Sequence, residues 1–178
     1  MEKNHQAVVE RKAGAILEYL DFRPVESLAV GGVLRAVRMV DKTVLAKKVS
    51  AIRDAVRRIR EVLPDSADAF RTDRTAREVV MLNLLVGLQE SISLATHWLT
   101  DEGWGVPQSY GEVFLILAER GVLERDLATR LHAAAGLRNL IAHQYAAIDS
   151  DRIFGIATNQ LDDLLSCWLR IAQRATST

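Results

Sequence analysis

Apolar residues recur along most of this chain at intervals of three and four positions, which is the spacing of one face of an α-helix. In the stretch 40–63 they run up to Pro64, which cannot continue a helix; they are Val40, Val44, Ile52, Val56, Ile59 and Leu63. No stretch sustains an alternation of apolar and polar residues between turn signals, so the sequence predicts no β-sheet. The pattern predicts an all-α protein built as an antiparallel helical bundle.

Glycine, proline and short polar segments divide this pattern into separate helices. A first predicted helix covers about 7–20 and ends before Pro24, and the pair Gly31 and Gly32 marks a linker after it. Five core helices are predicted to follow, at about 40–63, 73–99, 109–120, 123–143 and 157–174. Thr75 and Glu78, three residues apart, predict a capping box at the start of the longest helix.

The longest predicted helix is apolar on more than one side. Its apolar residues exceed a single stripe of about 100°; they are Val79, Val80, Leu82, Leu84, Leu85, Val86 and Leu88. A helix of this kind is buried on several sides, and a bundle this small offers few elements to cover them. The sequence therefore predicts that a partner chain covers one side.

Composition narrows the class of protein. The 178 residues carry no net charge at neutral pH, so no global field attracts the protein to nucleic acid or to anionic lipid. The single cysteine, Cys167, stands among core-type residues and is predicted to be a buried small hydrophobe. The longest apolar run is interrupted by Asn83 and is too short to span a bilayer, and the N-terminus has no apolar signal region. These features predict a cytoplasmic protein with no membrane partner.

The charges are nevertheless unevenly placed. Residues 42–60 hold seven basic side chains and one acid, whereas residues 101–126 hold six acids and two arginines. Arg53, Arg57 and Arg58 are candidates for contacting RNA phosphates from this basic helix. The alternative interpretation is a solvated helix face without a ligand.

The stretch GLRNLIAHQY, at 136–145, places polar residues inside a packed helix. Residues five apart on a helix are separated by about 140°, so Arg138 and His143 do not share a face, whereas Asn139 and His143 do. Tyr145 lies seven residues after Arg138 and nearly eclipses it if the helix continues that far. Two copies of this stretch facing each other across a twofold axis would form a cleft more easily than one copy.

The specificity of this pattern depends on all four residues. Arginine and histidine five apart occur by chance roughly 0.4 times in a chain of this composition, but the added asparagine and tyrosine lower this to about one in several thousand. A structural alternative remains, because arginine and histidine in the last turn of a helix also interact favourably with its negative end.

The segment RNLIAHQY resembles the R-x-x-x-x-H-x-Y signature of HEPN-domain ribonucleases, specifically the HepT-like toxins. The likeness extends over about 40–175: a basic helix, a Phe-x-x-Asp-Arg step, a long helix with polar residues near its end, and the motif late in the chain. We therefore predict a HEPN-like helical domain over 39–178 and an N-terminal helical extension of unknown role over 1–38.

The resemblance implies a metal-independent endoribonuclease that acts as a homodimer and as the toxin of a toxin–antitoxin pair. Its implied partner is a minimal nucleotidyltransferase antitoxin, its implied substrate is RNA, with tRNA the family-based guess, and no cofactor is implied. Histidine can transfer protons near neutral pH, and arginine's planar fork suits phosphate oxygens. We assign His143 as base or acid, Arg138 as phosphate stabiliser, and Asn139 as the residue that positions one of them.

The resemblance also gives Tyr145 a role, because the matching tyrosine of the family accepts AMP groups from the antitoxin. AMP would add bulk and negative charge where the RNA phosphate must lie. A tyrosine that serves packing or substrate binding is the alternative. On the long helix Glu90, Ser93 and His97 share a face and are candidates for lining the cleft, or form an ordinary polar stripe.

Two other kinds of protein fit the same sequence. A non-catalytic HEPN module that binds a nucleotidyltransferase would keep the motif without cleaving RNA, and a helical scaffold would use its apolar faces for assembly alone. The histidines show no metal-ligand spacing and no glycine-rich phosphate loop precedes a helix, so no metal site is predicted.

Overall fold

The computed structural model describes the backbone of residues 42–143 and 148–176, and the side chains of 44–142 and 148–174. This part of the chain is all-helical, as predicted, and holds seven helices and no strand: α1 (Lys42–Val62), α2 (Ala67–Thr72), α3 (Arg74–Glu102), α4 (Glu112–Glu119), α5 (Arg125–His143), α6 (Ser150–Asn159) and α7 (Leu161–Thr176). The predicted helix at 7–20, its linker and the extension 1–38 lie outside the described residues.

Helices α1 and α3 pack antiparallel along most of their length. Lys48 near the start of α1 pairs with Glu90 at 3.1 Å, and Ala55, further along α1, faces Gly87. A Cβ atom added at Gly87 would lie 3.7 Å from the Cβ of Ala55 and 3.2 Å from a methyl group of Leu164 on α7. The missing side chain at Gly87 therefore lets three helices approach closely.

The start of α3 differs from the predicted capping box. Asp73 is the N-cap residue, and its carboxylate accepts a hydrogen bond of 2.9 Å from the backbone N–H of Ala76. Thr75 lies inside the first turn, and Glu78 instead accepts from Arg74 at 2.7 Å. The capping-box prediction was wrong because the helix is capped two residues earlier, where Asp73 satisfies an unpaired N–H group of the first turn. At the other end Gly103 adopts φ 66°, a left-handed conformation that ends the helix.

The segments around α2 and α6 were not predicted correctly. The six-residue helix α2 is capped by Ser66 and buries Phe70, whose ring lies 5.7 Å from that of Phe154 on α6. The single helix predicted at 157–174 is two helices, because the chain turns at Gln160 between α6 and α7. Both errors concern short helices, which have too few residues for a periodic pattern to be recognised.

Side-chain hydrogen bonds hold the start of α4, which begins at Glu112, three residues after the predicted start of 109. Ser109 accepts a hydrogen bond of 3.3 Å from the N–H of Glu112, and the Glu112 carboxylate accepts in return from the N–H of Gln108. After α4 the chain reverses at Gly121, whose φ of 70° is a left-handed conformation that favours glycine. This reversal brings α5 back against α4 and α3.

Helix α3 forms the centre of the core. It contacts α1, α4, α5, α6 and α7. By length and composition alone α3 is apolar enough to cross a membrane, a property that the buried core helices of soluble proteins share. Trp168, Phe70 and Phe114 are among the largest fully buried side chains, and Cys167 is buried as predicted. Burial, together with the smaller effect of the negative charge on Asp163, raises the pKa of the Cys167 thiol to about 12, which makes it unreactive near neutral pH.

Candidate functional site

The end of α5 holds the arginine of the predicted motif. Leu131, Ala135, Leu137 and Ile141 bury one side of this helix in the core. Arg138 follows Leu137 and is half-buried at the margin of that buried side. The buried apolar residues hold α5 against the core, and the position of α5 sets the position of the Arg138 Cα atom.

Three side chains of the described residues contact the guanidinium group of Arg138, and none of the three is charged. Nε of Arg138 donates to Oε1 of Gln89 on α3 at 2.7 Å. Nη1 donates to Oδ1 of Asn139 at 3.1 Å. The central carbon of the guanidinium lies 5.2 Å from the ring centroid of Tyr110, in the range of a cation–π contact.

This arrangement leaves part of the guanidinium group available. Gln89 and Asn139 use donors on Nε and Nη1, and the two N–H groups of Nη2 have no partner among the described residues. Amide oxygens accept hydrogen bonds without cancelling the positive charge. The end of α5 therefore presents an oriented cation with unused donors, which is suited to a phosphate group.

Asn139 was predicted to position either Arg138 or His143. Its side chain is exposed and contacts Arg138. His143 is the last residue of α5, five positions after Arg138, and its side chain lies outside the described residues, as does Tyr145. The backbone thus places Arg138 and His143 on different sides of one helix, and the roles assigned to His143 and Tyr145 stay predictions.

Two of the three predicted cleft-lining residues of α3 have other partners than Arg138 among the described residues. Glu90 is bound to Lys48 of α1 at 3.1 Å. Nε2 of His97 lies 3.6 Å from Oδ2 of Asp101 on the same helix, and Ser93 is half-buried. No hydrogen bond or ion pair among the described side chains joins Glu90, Ser93 or His97 to Arg138.

The residues that do contact Arg138 were missed from the sequence. Gln89 lies one position before Glu90, and a one-residue step rotates a helix face by about 100°. Gln89 shares a face with Ser93, four residues on, which was the available signal. Tyr110 belongs to the segment between α3 and α4 and is 51% exposed. Its contact with Arg138 depends on the path of that segment, which no periodic pattern encodes.

An exposed apolar stripe on α3 leads to this site. Leu82 is 60% exposed and Val86 is 37% exposed. Gln89 lies three residues after Val86, so the stripe of Leu82 and Val86 ends at the hydrogen bond to Arg138. Exposed leucine and valine on one helix face favour coverage by another chain.

The basic helix predicted for RNA contact is α1, and acidic residues contact its arginines. Arg57 donates to Glu61 at 2.7 Å and to Asp54 at 3.4 Å, and Arg58 donates to Glu61 at 3.3 Å. The hydrogen bonds from Arg57 and Arg58 lower the pKa of Glu61. The hydrogen bonds that Arg57 donates to Glu61 and Asp54 raise the pKa of Arg57 itself. Arg53 is exposed and has no ion-pair partner among the described residues.

The positive charge of α1 is therefore balanced more fully in the folded protein than the stretch 42–60 alone indicates. Residues 42–60 contain one acid, but Glu61 lies just beyond that stretch and pairs with two of the arginines. Arg60 pairs with Asp162 of α7 at 2.7 Å. The RNA-contact role of Arg53, Arg57 and Arg58 remains a prediction, and most of the charge it depends on is shared with carboxylates.

Fold and site together define an all-helical protein with an oriented arginine near the end of one helix. The family model described as Ribonuclease HepT-like matches residues 52–171. This chain therefore belongs to the ribonuclease HepT-like family. Both the helical fold and the family expected from the sequence are confirmed, whereas the predicted boundary at residue 39 stays a prediction.

Known proteins of this family resemble the chain over most of their length. The mRNA nuclease HepT of Shewanella oneidensis is 28% identical over 120 residues, which are 67% of this chain and 90% of that protein. The solved structure of a tri-AMPylated Shewanella oneidensis HEPN toxin in complex with an MNT antitoxin has a TM-score of 0.68 and 28% identity, and the match covers 75% of this chain and 98% of that one. A toxin–antitoxin structure with AMP-PNP gives a TM-score of 0.68 at 26% identity, covering 72% and 97%.

Proposed function

We propose that this protein is the toxin of a toxin–antitoxin pair and that it cleaves RNA without a metal ion. The observation that carries the proposal is the Arg138 guanidinium, held by uncharged partners with both Nη2 donors unused among the described residues. The family match, which includes the positions of Arg138 and His143, supports cleavage of RNA as the use of that cation.

The chemistry that we propose is attack by the RNA's own 2′-hydroxyl on the adjacent phosphorus. The 2′-oxygen forms a new bond to phosphorus, the bond to the 5′-oxygen breaks, and the products are a 2′,3′-cyclic phosphate and a 5′-hydroxyl. His143 removes the 2′-proton or delivers a proton to the leaving oxygen. Arg138 stabilises the negative charge on the phosphate oxygens in the transition state.

We further propose that the active form is a homodimer. A single copy places Arg138 and His143 about 140° apart on α5, which separates the cation from the proton-transfer group. A second copy packed on the stripe of Leu82 and Val86 would lie next to Gln89 and Arg138. Two motifs facing each other would then supply one base, one acid and the cations to a single phosphate.

The proposed partner is a minimal nucleotidyltransferase antitoxin that transfers AMP from ATP to the hydroxyl of Tyr145, with release of pyrophosphate. The similar Shewanella oneidensis toxin is tri-AMPylated and bound to an MNT antitoxin. Tyr145 is two residues after His143, so AMP on it would bring negative charge to the entry of the site and repel RNA. We place this pair in the cytoplasm, where its RNA substrate occurs.

The experiment is cleavage of RNA by the unmodified protein in the presence of EDTA, with wild type and His143→Ala compared. Total tRNA, the substrate expected from the sequence, and an mRNA, suggested by the name of the relative, are tested side by side. We expect cleavage to leave 2′,3′-cyclic phosphate ends and to be lost in the variant. The matched control is Arg125→Ala, an exposed residue at the start of the same helix.

Two results would contradict the proposal. Cleavage by His143→Ala at the wild-type rate would remove His143 from the chemistry. If the wild type fails to cleave either RNA and its mass excludes a modified Tyr145, the protein is instead a binding module for the nucleotidyltransferase.

A further inference from the structure

We infer that Gln89 and Tyr110 are positioning residues that hold the guanidinium of Arg138 in its working orientation. This inference rests on the proposed function, because it gives both residues a role through Arg138. Neither residue belongs to the R-x-x-x-x-H-x-Y motif, and both come from other parts of the chain, α3 and the segment after it.

The first constraint is the hydrogen bond from Nε of Arg138 to Gln89 at 2.7 Å. The flexible arginine side chain has several rotatable bonds, and an acceptor at Nε fixes the rotation of the planar group about its last bond. Engaging Nε blocks the side edge of the fork, formed by Nε and Nη2. Asn139 engages Nη1, so Nη2, whose N–H groups have no partner among the described residues, is left to face a phosphate.

The second constraint is the ring of Tyr110, 5.2 Å from the guanidinium carbon. A hydrogen bond at one edge still permits tilting, and a ring against one face of the planar group restricts it. Tyr110 is 51% exposed, so the tyrosine borders solvent at the place where RNA must approach. A contact of this kind acts on the orientation of the cation and leaves its charge unchanged.

The chemical type of these partners supports positioning over packing. An arginine that served only to connect α5 with α3 would be stabilised best by a carboxylate, and Glu90 stands one residue away but is bound to Lys48. The residue at the contact is instead a glutamine, which orients the group without cancelling its charge. A glutamate at position 89 would preserve the hydrogen bond but would compete electrostatically with the phosphate.

The central test compares Gln89→Met, which keeps the size of the side chain and removes the acceptor, with Gln89→Glu, which keeps the acceptor and adds a charge. We expect Gln89→Met to lower kcat by about tenfold, because the cation loses its orientation in the transition state. Gln89→Glu should keep kcat within about threefold of wild type and raise KM. Gln160→Ala, an exposed glutamine without a contact to Arg138, is the control and should change neither.

A double-mutant cycle separates positioning from a general structural role. In an Arg138→Ala background Gln89→Met should cause no further loss, since its partner is already absent. An equal loss in both backgrounds, or no loss in the wild-type background, would overturn the inference. Thermal unfolding of each variant identifies any loss caused by instability.

Tyr110 is tested by the pair Tyr110→Phe and Tyr110→Ala. The phenylalanine keeps the ring face and should retain wild-type kcat, whereas the alanine should lower it by about threefold. Equal losses in both variants would assign the effect to the hydroxyl group and would contradict a role of the ring.

Failure of the ribonuclease proposal can be distinguished from failure of the positioning role of Gln89. If the wild type binds RNA without cleaving it, the readout is the affinity for a 2′-O-methyl RNA oligonucleotide, which cannot be cleaved. Gln89→Met should then weaken binding by about threefold, and only when Arg138 is present. Unchanged binding in that assay would overturn the inference separately from the loss of the ribonuclease proposal.

Discussion

Arg138 on α5 and the two arginines Arg57 and Arg58 on α1 differ in the chemistry of the partners that hold them. At the end of α5 the guanidinium of Arg138 is held by two amide oxygens and an aromatic ring. On α1, Arg57 and Arg58 are held by the carboxylates of Glu61 and Asp54. One group is oriented and keeps its charge, whereas the other shares its charge with acids beside it.

This difference matters more than the number of arginines. Arg57 and Arg58 of α1 are exposed and screened by salt, and a phosphate would have to replace the carboxylates that already contact them. An arginine with neutral acceptors has lost conformational freedom but has gained no counter-ion. The end of α5 is therefore expected to do chemistry on an anion, and α1 at most to assist its binding.

The largest effect should follow from changing Arg138. We expect Arg138→Ala to lower kcat/KM for RNA by about 10²- to 10³-fold, because a preorganised cation at the phosphate is lost. Arg138→Lys should be almost as damaging, since a lysine cannot use the acceptors that hold a planar fork. Cleavage rates with single-turnover controls measure this, and Arg125→Ala, an exposed arginine at the start of the same helix, is the matched control. Full activity of Arg138→Lys would show that charge alone suffices.

The second effect concerns whether the α5 site needs a second copy of the chain. The double variant Leu82→Asp, Val86→Asp places two charges on the exposed stripe of α3 and should convert a dimer to a monomer. Cleavage should fall about 10²-fold although Arg138 is unchanged. Sedimentation and activity are measured on the same sample, with Ala69→Asp on the exposed side of α2 as the control. A monomer that remains fully active would contradict the composite site.

The sequence was sufficient to predict the elements that depend on periodicity. The long helix α3, the helix that carries Arg138 and the ending of α1 before Pro64 follow from apolar spacing and from proline. The motif located Arg138 and Asn139, since both lie on one helix and their contact is local. Errors of one or two residues at helix ends, such as Asp73 in place of Thr75, arise because several side chains can cap the same N–H groups.

Contacts between distant parts of the chain were not predictable in this way. Gln89 and Arg138 lie 49 positions apart, and their contact depends on how α3 and α5 are rotated against each other. A face shared by Glu90, Ser93 and His97 was a reasonable alternative, because Ser93 borders both faces and Glu90 lies about 100° from Gln89. Packing of core side chains decides that rotation, and a single sequence does not display it.

A smaller effect is expected on α1. Reversing two charges with Arg57→Glu and Arg58→Glu should weaken RNA binding by about tenfold and flatten its dependence on salt, if this face follows the phosphate backbone. The control variant Arg74→Glu, Arg125→Glu changes net charge equally on other helices. Affinities for uncleavable RNA are measured over a range of salt concentrations. Equal effects of both double variants would assign α1 to the solvated face that the sequence left as the alternative.

The smallest effect is expected when Arg57 and Arg58 receive a neutral partner like those of Arg138. In Glu61→Gln an amide replaces the carboxylate that Arg57 and Arg58 share, so their charge should become available and RNA binding should tighten by about two- to threefold. Glu78→Gln is the matched control, because it removes a similar exposed pair with Arg74 on α3.

The pH dependence of that gain follows from the pKa of Glu61. Hydrogen bonds from Arg57 and Arg58 lower this pKa below the ordinary carboxyl range. A lowered folded-state pKa means that the carboxylate and its pairs are present above that range and are lost only as the pH falls through the lowered value. Between about pH 6 and 8 the advantage of Glu61→Gln should therefore be constant. An advantage that fades within this window would mean that Glu61 titrates there and does not neutralise the two arginines.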